Sequence, residues 1–233
     1  MPRTHYKEFS FENWDGLWAT IEPTTIQIKH EPPPFRIDNV VSTFKMSQKL
    51  DLLNIAKKIF FLEYNCSKFT AATLRLKNPK TTALSFSSGS VVCTGAKSVS
   101  ESKRAATIYI KVFKTAVPDI KLIDFKVQNI VASTKCPFTI DLVGIVQSFS
   151  VRTSFAIELF PGLVFRFDNP KIVFLVFRSG SVVITGANNI QTIHHMLQKF
   201  YNTVLCPFRD TTELADISNS SEYKSILTKR KRF

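Results

Sequence analysis

Ser88-Gly89-Ser90-Val91-Val92-Cys93-Thr94-Gly95-Ala96 returns as Ser179-Gly180-Ser181-Val182-Val183-Ile184-Thr185-Gly186-Ala187, offset by 91 residues and changed only at the sixth position. Around this stretch the same order of elements comes back. Asn39-Val40-Val41-Ser42 answers Asn129-Ile130-Val131-Ala132, Phe69 answers Phe160, Phe86 answers Phe177, and Pro79-Lys80 answers Pro170-Lys171. A match of this length at a nearly constant spacing marks an internal repeat, so the chain is read as two copies of one unit. The copies occupy 35–121 and 122–209, with a variable segment at 1–34 and a basic tail at 210–233.

Each unit reads as mixed α and β. Leu163 to Phe167 and Ile172 to Phe177 are β-branched and aromatic runs divided by the turn Asp168-Asn169-Pro170. Arg178-Ser179-Gly180-Ser181 then turns into Val182 to Thr185, which predicts three antiparallel strands on short connections. Ser98-Val99-Ser100-Glu101 is a capping box, and Ala106, Tyr109 and Phe113 form the stripe of the helix it opens. Its counterpart places Ile190, Ile193, Leu197, Phe200 and Val204 on one face. Asp51 is expected to cap a shorter helix with Leu52, Ile55, Ala56 and Ile59 turned inward. Ile172 to Phe177 is apolar at every position, whereas a sheet with one wet face should alternate. Two helices per unit cover one side of such a sheet, so Val173, Leu175 and Phe177 are expected on an open apolar face.

Charge narrows the partners. The chain of 233 residues has 31 Lys and Arg against 18 Asp and Glu. The excess lies in the repeats, where 35–209 holds 23 bases and 9 acids, fifteen to five in the first unit and eight to four in the second. A field of that sign attracts polyanions, of which nucleic acid is the leading candidate. No apolar run is long enough to cross a bilayer as a helix, and MPRTHYKEFS has no signal-peptide core, so neither membrane nor secretion is expected. Cys66, Cys93, Cys136 and Cys206 are scattered and read as reduced thiols; with no C-x-x-C pair, and with His194-His195 lacking ligand partners, no metal is expected. The sequence has no Gly-rich phosphate loop followed by Lys and Ser, no nucleophile with a matched base and no carboxylate cluster, so no enzyme is read here.

Across 35–209 the chain resembles the core of the TATA-box-binding protein family. The resemblance is carried by Asn39-Val40-Val41-Ser42-Thr43, Thr81-Thr82-Ala83-Leu84-Ser85-Phe86-Ser87-Ser88-Gly89 and Val92-Cys93-Thr94-Gly95-Ala96-Lys97. Asp124-Phe125-Lys126-Val127-Gln128-Asn129 and Glu158-Leu159-Phe160-Pro161-Gly162-Leu163 extend it through the second unit. The resemblance implies an α+β saddle: a curved, ten-stranded antiparallel sheet with pseudo-twofold symmetry, four helices on its convex face, and DNA against its underside. It implies a general initiation factor that bends A·T-rich promoter DNA from the minor groove, with no cofactor. By the same resemblance Asn39 and Asn129 donate to the central acceptors of the groove, beside Thr94 and Thr185. Val41, Val131, Leu84, Leu175, Val92 and Val183 supply an apolar floor that disfavours the guanine amino group. Phe69, Phe86, Phe160 and Phe177 match two pairs of wedges that unstack base steps, a mode for which this family is the standing example.

Lys68, Arg75, Lys80, Arg166 and Lys171, with the hydroxyls of Ser88 and Ser179, fall at phosphate-contacting positions of the family. The chain departs from the family where Ser90 and Ser181 stand in place of Lys, at Asn188 in place of another Lys, and at Ala156 in place of an acid. Glu158 and Leu159 match part of a site for factor IIB. Lys97, Lys103, Arg104 and Lys111 mark a dock for factor IIA or a repressor. The resemblance further implies the RNA polymerase machinery as a partner, a monomer on DNA, and a nuclear location or the transcription compartment of a DNA virus. The alternative is an interaction scaffold, or a related factor of weakened or altered DNA specificity. An enzyme with a saddle-like accessory domain ranks last, because the chain has no room for a catalytic domain. Phe11, Trp14, Leu17 and Trp18, set among acids, suggest a binding peptide or flap, and Lys229-Arg230-Lys231-Arg232 a localisation or DNA-contacting tail.

Overall fold

The computed structural model describes residues 30–210. Strand β1 (Arg36–Met46) leads to helix α1 (Leu52–Lys58). The hairpin strands β2 (Ala72–Lys77), β3 (Lys80–Ser85) and β4 (Ser90–Ala96) follow, and helix α2 (Val99–Lys114) closes the first unit. The second unit repeats the order with β5 (Leu122–Lys135) and α3 (Leu142–Ser148), and then adds a short strand, β6 (Thr153–Ser154). It continues through β7 (Leu163–Phe167), β8 (Ile172–Val176), β9 (Ser181–Ala187) and α4 (Ile190–Phe200), whose end winds into a π-helical turn at Tyr201–Leu205.

All strands join one curved antiparallel sheet in the order β2-β3-β4-β1-β5-β9-β8-β7-β6. The long strands β1 and β5 pair at its centre, with Asn39 opposite Val131 and Val41 opposite Asn129, so the local twofold passes beside Val40 and Ile130. The sheet has nine strands among the described residues where ten were expected. The missing one is the first unit's equivalent of β6. There only Glu63 and Thr73 exchange backbone bonds, of 2.9 and 2.8 Å, while β6 pairs two residues with β7.

Burial follows strand parity. Ile172, Phe174 and Val176 are fully buried, while Val173 and Leu175 between them are half-exposed; Val91 and Cys93 alternate in the same way with Val92 and Thr94. The buried set packs under the helices in two clusters, one centred on each unit, with Val40 and Ala96 of the first unit joining the cluster of the second. The helices form where the capping signals put them. Asp51 accepts the Asn54 N–H, and Ser98 Oγ accepts the Glu101 N–H. The Glu101 carboxylate reaches back to the N–H of Lys97 at 2.8 Å rather than to that of Ser98 itself. On α4, Ile193, Leu197 and Phe200, and Val204 in the π-helical turn that follows, are buried as the period requires. Ile190 is a correction: although it falls on the apolar stripe, it opens the first turn beside the Asn189 cap and is 39% exposed.

The two cores are built on one plan from different chemistry. In the second unit Phe174 stacks on Phe200 with centroids 4.1 Å apart, among Ile172, Ile184 and Ile193. At the matching positions the first unit carries Ala83, Tyr109, Thr81, Cys93 and Ser102. Tyr109 Oη and Thr81 Oγ1 lie 2.9 Å apart, and Ser42 Oγ and Ser102 Oγ 2.7 Å apart, so these buried hydroxyls satisfy one another. Burial pushes the Cys93 thiol up to about 11 and Tyr109 up to about 12, which keeps both neutral and unreactive at physiological pH.

Candidate nucleic-acid interface

The open face of the sheet is organised around a device that occurs twice. Between Val40↔Ala96 and Ser42↔Cys93 the register slips, so that Val41 faces both Thr94 and Gly95; Val131 faces Thr185 and Gly186 in the same manner. The extra residue is a β-bulge, and Gly95 and Gly186 take φ of +103° there. The bulge turns each glycine N–H out of the ladder toward an asparagine. Gly95 N–H donates to Asn39 Oδ1 at 2.7 Å, and Gly186 N–H to Asn129 Oδ1 at 2.8 Å.

A backbone N–H can only donate, so it fixes which end of each amide is oxygen. The nitrogen ends then point to the threonines, with Asn39 Nδ2 donating to Thr94 Oγ1 at 3.1 Å and Asn129 Nδ2 to Thr185 Oγ1 at 3.0 Å. Each amide nitrogen has two hydrogens, so one remains beyond this bond. The result is two oriented donors on adjacent central strands. A β-carbon on Gly186 would lie 2.5 Å from the Lys171 carbonyl oxygen. Gly186→Ala is therefore expected to cost at least the ~1–3 kcal/mol of a strained backbone site, read as a lowered urea midpoint.

The other expected floor residues, Val41, Val131, Leu84, Leu175, Val92 and Val183, are all half-buried. They alternate with fully buried neighbours and so share the face that the helices leave uncovered. At one end of this face Phe160 and Phe177 meet edge to face, with centroids 5.6 Å apart. Gly162 lies against both: a β-carbon there would come within 2.5 Å of Phe160 and 2.9 Å of Phe177. At the other end Phe69 is half-exposed and Phe86 half-buried; the position equivalent to Gly162 is Ala71, so the two aromatic pairs are seated differently.

Lys80, Arg166 and Lys171 have the strand parity of the open face and are exposed; Lys68, Ser88 and Ser179 are exposed in the adjoining turns. Arg75 differs, because its guanidinium is paired with the Glu63 carboxylate. Its repeat mate Arg166 has Ser154 where Glu63 would be, so the two ends present unequal charge. The Ser90 and Ser181 substitutions sit beside these turns. Ser88 Oγ accepts the Ser90 N–H at 3.3 Å, and Ser179 Oγ bonds Ser181 Oγ at 3.2 Å.

The expected partner residues fall on two other surfaces. Glu158 and Leu159 lie in the tight turn Ala156–Phe160, and Leu159 is 88% exposed. This loop also holds Phe160, so an exposed leucine and a ring of the open face share one turn. Lys97, Lys103, Arg104 and Lys111 are exposed on and beside α2. Lys97 Nζ donates to the Asp38 carbonyl, Arg104 to Asn78 Oδ1 at 2.6 Å, and Lys103 sits 5.9 Å from the centre of the Phe125 ring. Among the described residues no three His, Cys, Asp or Glu side chains group as metal ligands, and no helix is long and apolar enough to cross a membrane. Trp14, Trp18 and the Lys229–Arg232 run lie outside the described residues.

Sequence reasoning passed over Gly95, Gly186, Gly162 and Glu63. The signal for the first two was present, since a glycine inside a strand pattern marks a bulge. Glu63 and Gly162 act only across space and left no periodic trace.

Two units of one plan, an uncovered apolar face and helices on the opposite side define a two-repeat saddle. The family model described as "Transcription factor TFIID (or TATA-binding protein, TBP)" matches residues 34–116 and 124–206. A TATA-box-binding protein of Tetrahymena thermophila is 42% identical over 190 residues, covering 82% of this chain and 77% of that protein. One from Xenopus tropicalis is 44% identical over 177 residues, covering 76% of this chain and 59% of that protein, so the match spans less than two thirds of the relative. The solved structure of Methanococcus jannaschii TBP superposes with a TM-score of 0.65 at 36% identity, covering 73% of this chain and 98% of that one. The chain belongs to the TATA-box-binding protein family, a family of non-enzymatic transcription factors.

Proposed function

We propose that this protein is a general initiation factor that binds A·T-rich, TATA-like promoter DNA through the open face of its sheet. The observation that carries the reading is the repeated Asn–Thr–Gly arrangement at the centre of an apolar face that ends in aromatic residues on both sides. At A·T pairs the minor groove presents the same acceptors in either orientation, and a G·C pair adds an amino donor. Asn39 and Asn129 donate to those acceptors, and the Val and Leu floor leaves a guanine amino group clashing and unsatisfied. Phe69 with Phe86 and Phe160 with Phe177 enter base steps at the two ends and kink the duplex. Lys68, Lys80, Arg166, Lys171, Ser88 and Ser179 hold phosphates, and Arg75 does so once it exchanges Glu63 for phosphate. Residues 35–121 and 122–209 serve as the two half-site units. Glu158 and Leu159 receive a IIB-type factor and the α2 cations a IIA-type factor, so that the bent complex nucleates assembly of the polymerase machinery in the nucleus.

The test is a duplex carrying energy-transfer labels at its ends. Binding is expected to bring the labels together, and log affinity to fall steeply with log salt, by roughly 0.9 per phosphate neutralised. An unbent probe or a flat salt dependence would remove the reading and leave the scaffold alternative. A second expectation concerns the centre of the site. Asn39→Ser with Asn129→Ser should shrink the central G·C penalty, which in an intact interface is ~1–3 kcal/mol per pair, while nonspecific affinity persists. Competition binding with duplexes altered only at the two central pairs measures this. An undiminished penalty would assign specificity to the valine floor instead.

A further inference from the structure

The open face is large, apolar and bordered by Lys80, Arg166 and Lys171, so in the absence of a ligand it leaves hydrophobic surface in water. The chain itself carries a segment of opposite character. Glu8–Glu22 contains Glu8, Glu12, Asp15 and Glu22 with no Lys or Arg, interleaved with Phe9, Phe11, Trp14 and Trp18. Its acids match the cations of the face, and its aromatic rings match the apolar floor. We propose that this segment docks on the open face of its own sheet in the free protein and is displaced when DNA binds. The displacement step rests on the reading of that face as the DNA surface; the docking does not.

The attachment permits it. His30 is held by Asn202 through two bonds of 2.9 Å, from the His30 N–H to Asn202 Oδ1 and from Asn202 Nδ2 to the His30 carbonyl. Thr134 Oγ1 bonds the carbonyls of Pro33 and Pro34, so the tether leaves from beside the two central strands. Twelve residues separate Trp18 from His30, an extended reach of about 40 Å, enough to round the strand ends from the helix side. A tether of this kind holds its segment at an effective concentration in the millimolar range, so weak docking suffices for high occupancy.

The chain has two tryptophans, and both lie in this segment, so tryptophan emission reports on it alone. In low salt the full-length protein is expected to emit to the blue of a free peptide of residues 8–22, at every protein concentration. Saturation with A·T-rich duplex should return the emission to that of the peptide. A docked fraction of about nine tenths lowers apparent DNA affinity about tenfold. Glu8→Gln, Glu12→Gln, Asp15→Asn and Glu22→Gln together should therefore tighten DNA binding about tenfold. Leu175→Glu with Val183→Glu, checked for folding by circular dichroism, should release the emission without DNA. If that release occurs but the wild-type protein binds no duplex, the docking stands and the DNA reading falls. Peptide-like emission in the free protein overturns the proposal. So does a blue shift that survives duplex saturation or the two glutamates, or one that appears only as protein concentration rises.

Discussion

Phe174→Ala is expected to lower folding stability by ~3–5 kcal/mol, while Leu175→Ala, one residue along the same strand, costs about 1 kcal/mol. Phe174 is fully buried and stacks on Phe200 at 4.1 Å, with Phe167 also in contact at 5.8 Å. Removing its ring leaves a cavity in an aromatic stack within the core of the second unit. Leu175 points to the uncovered side, where truncation leaves no void. Urea unfolding of the two variants reads the difference directly, as separate midpoints at a common slope. Equal losses at both positions would mean that Leu175 is enclosed in the core as Phe174 is, well beyond what a weakly docked segment gives, and the assignment of the floor would have to be withdrawn.

The second large effect is on DNA shape. Phe160→Ala with Phe177→Ala is expected to remove most of the kink at one end of the site while the folding midpoint moves little. Phe160 is 37% exposed, and the two rings lean chiefly on each other and on Gly162, so truncating both opens the surface rather than the core. End-to-end energy transfer on an A·T-rich duplex should then report a bend reduced toward one side, with salt dependence retained because the cations remain. A loss of stability near the ~3–5 kcal/mol of a core Phe deletion would identify the rings as core and sink the wedge assignment at that end.

Much of the fold was legible because the repeat checked every local reading against a second copy. The strand parity of Ile172 to Phe177, the caps at Asp51 and Ser98 and the stripe of Tyr109 and Phe113 rest on period and residue type, and the structure follows them. The tenth strand was not legible, because one bridge against two pairs is decided by how a loop lies on an edge, not by propensity. Ile190 matched the helical period yet is 39% exposed, since period gives direction around a helix but not how far along it the packing extends. At the interface the residue types were readable but their couplings were not. Nothing in the spacing joins Glu63 to Arg75 or sets Gly162 against two rings, because those contacts bridge separate elements. The polar core of the first unit was visible in principle, since Thr81, Cys93 and Ser102 occupy inward positions that Ile fills in the second.

The glycine bonds to Asn39 and Asn129 bear on the entropy of recognition. A free asparagine on a surface samples several rotamers, and fixing a flexible side chain at an interface costs about 0.5–1.5 kcal/mol. Here each amide already accepts a backbone N–H within 2.8 Å and donates to a threonine hydroxyl, so folding has restricted that motion before any ligand arrives. Arg166 and Lys171, exposed at the margin of the face, keep their freedom until a ligand arrives. The centre of the face is therefore a rigid template and its margin an adaptable one: in the proposed DNA-binding role, sequence would be read by groups that need not search, and the variable path of a bent backbone followed by groups that can.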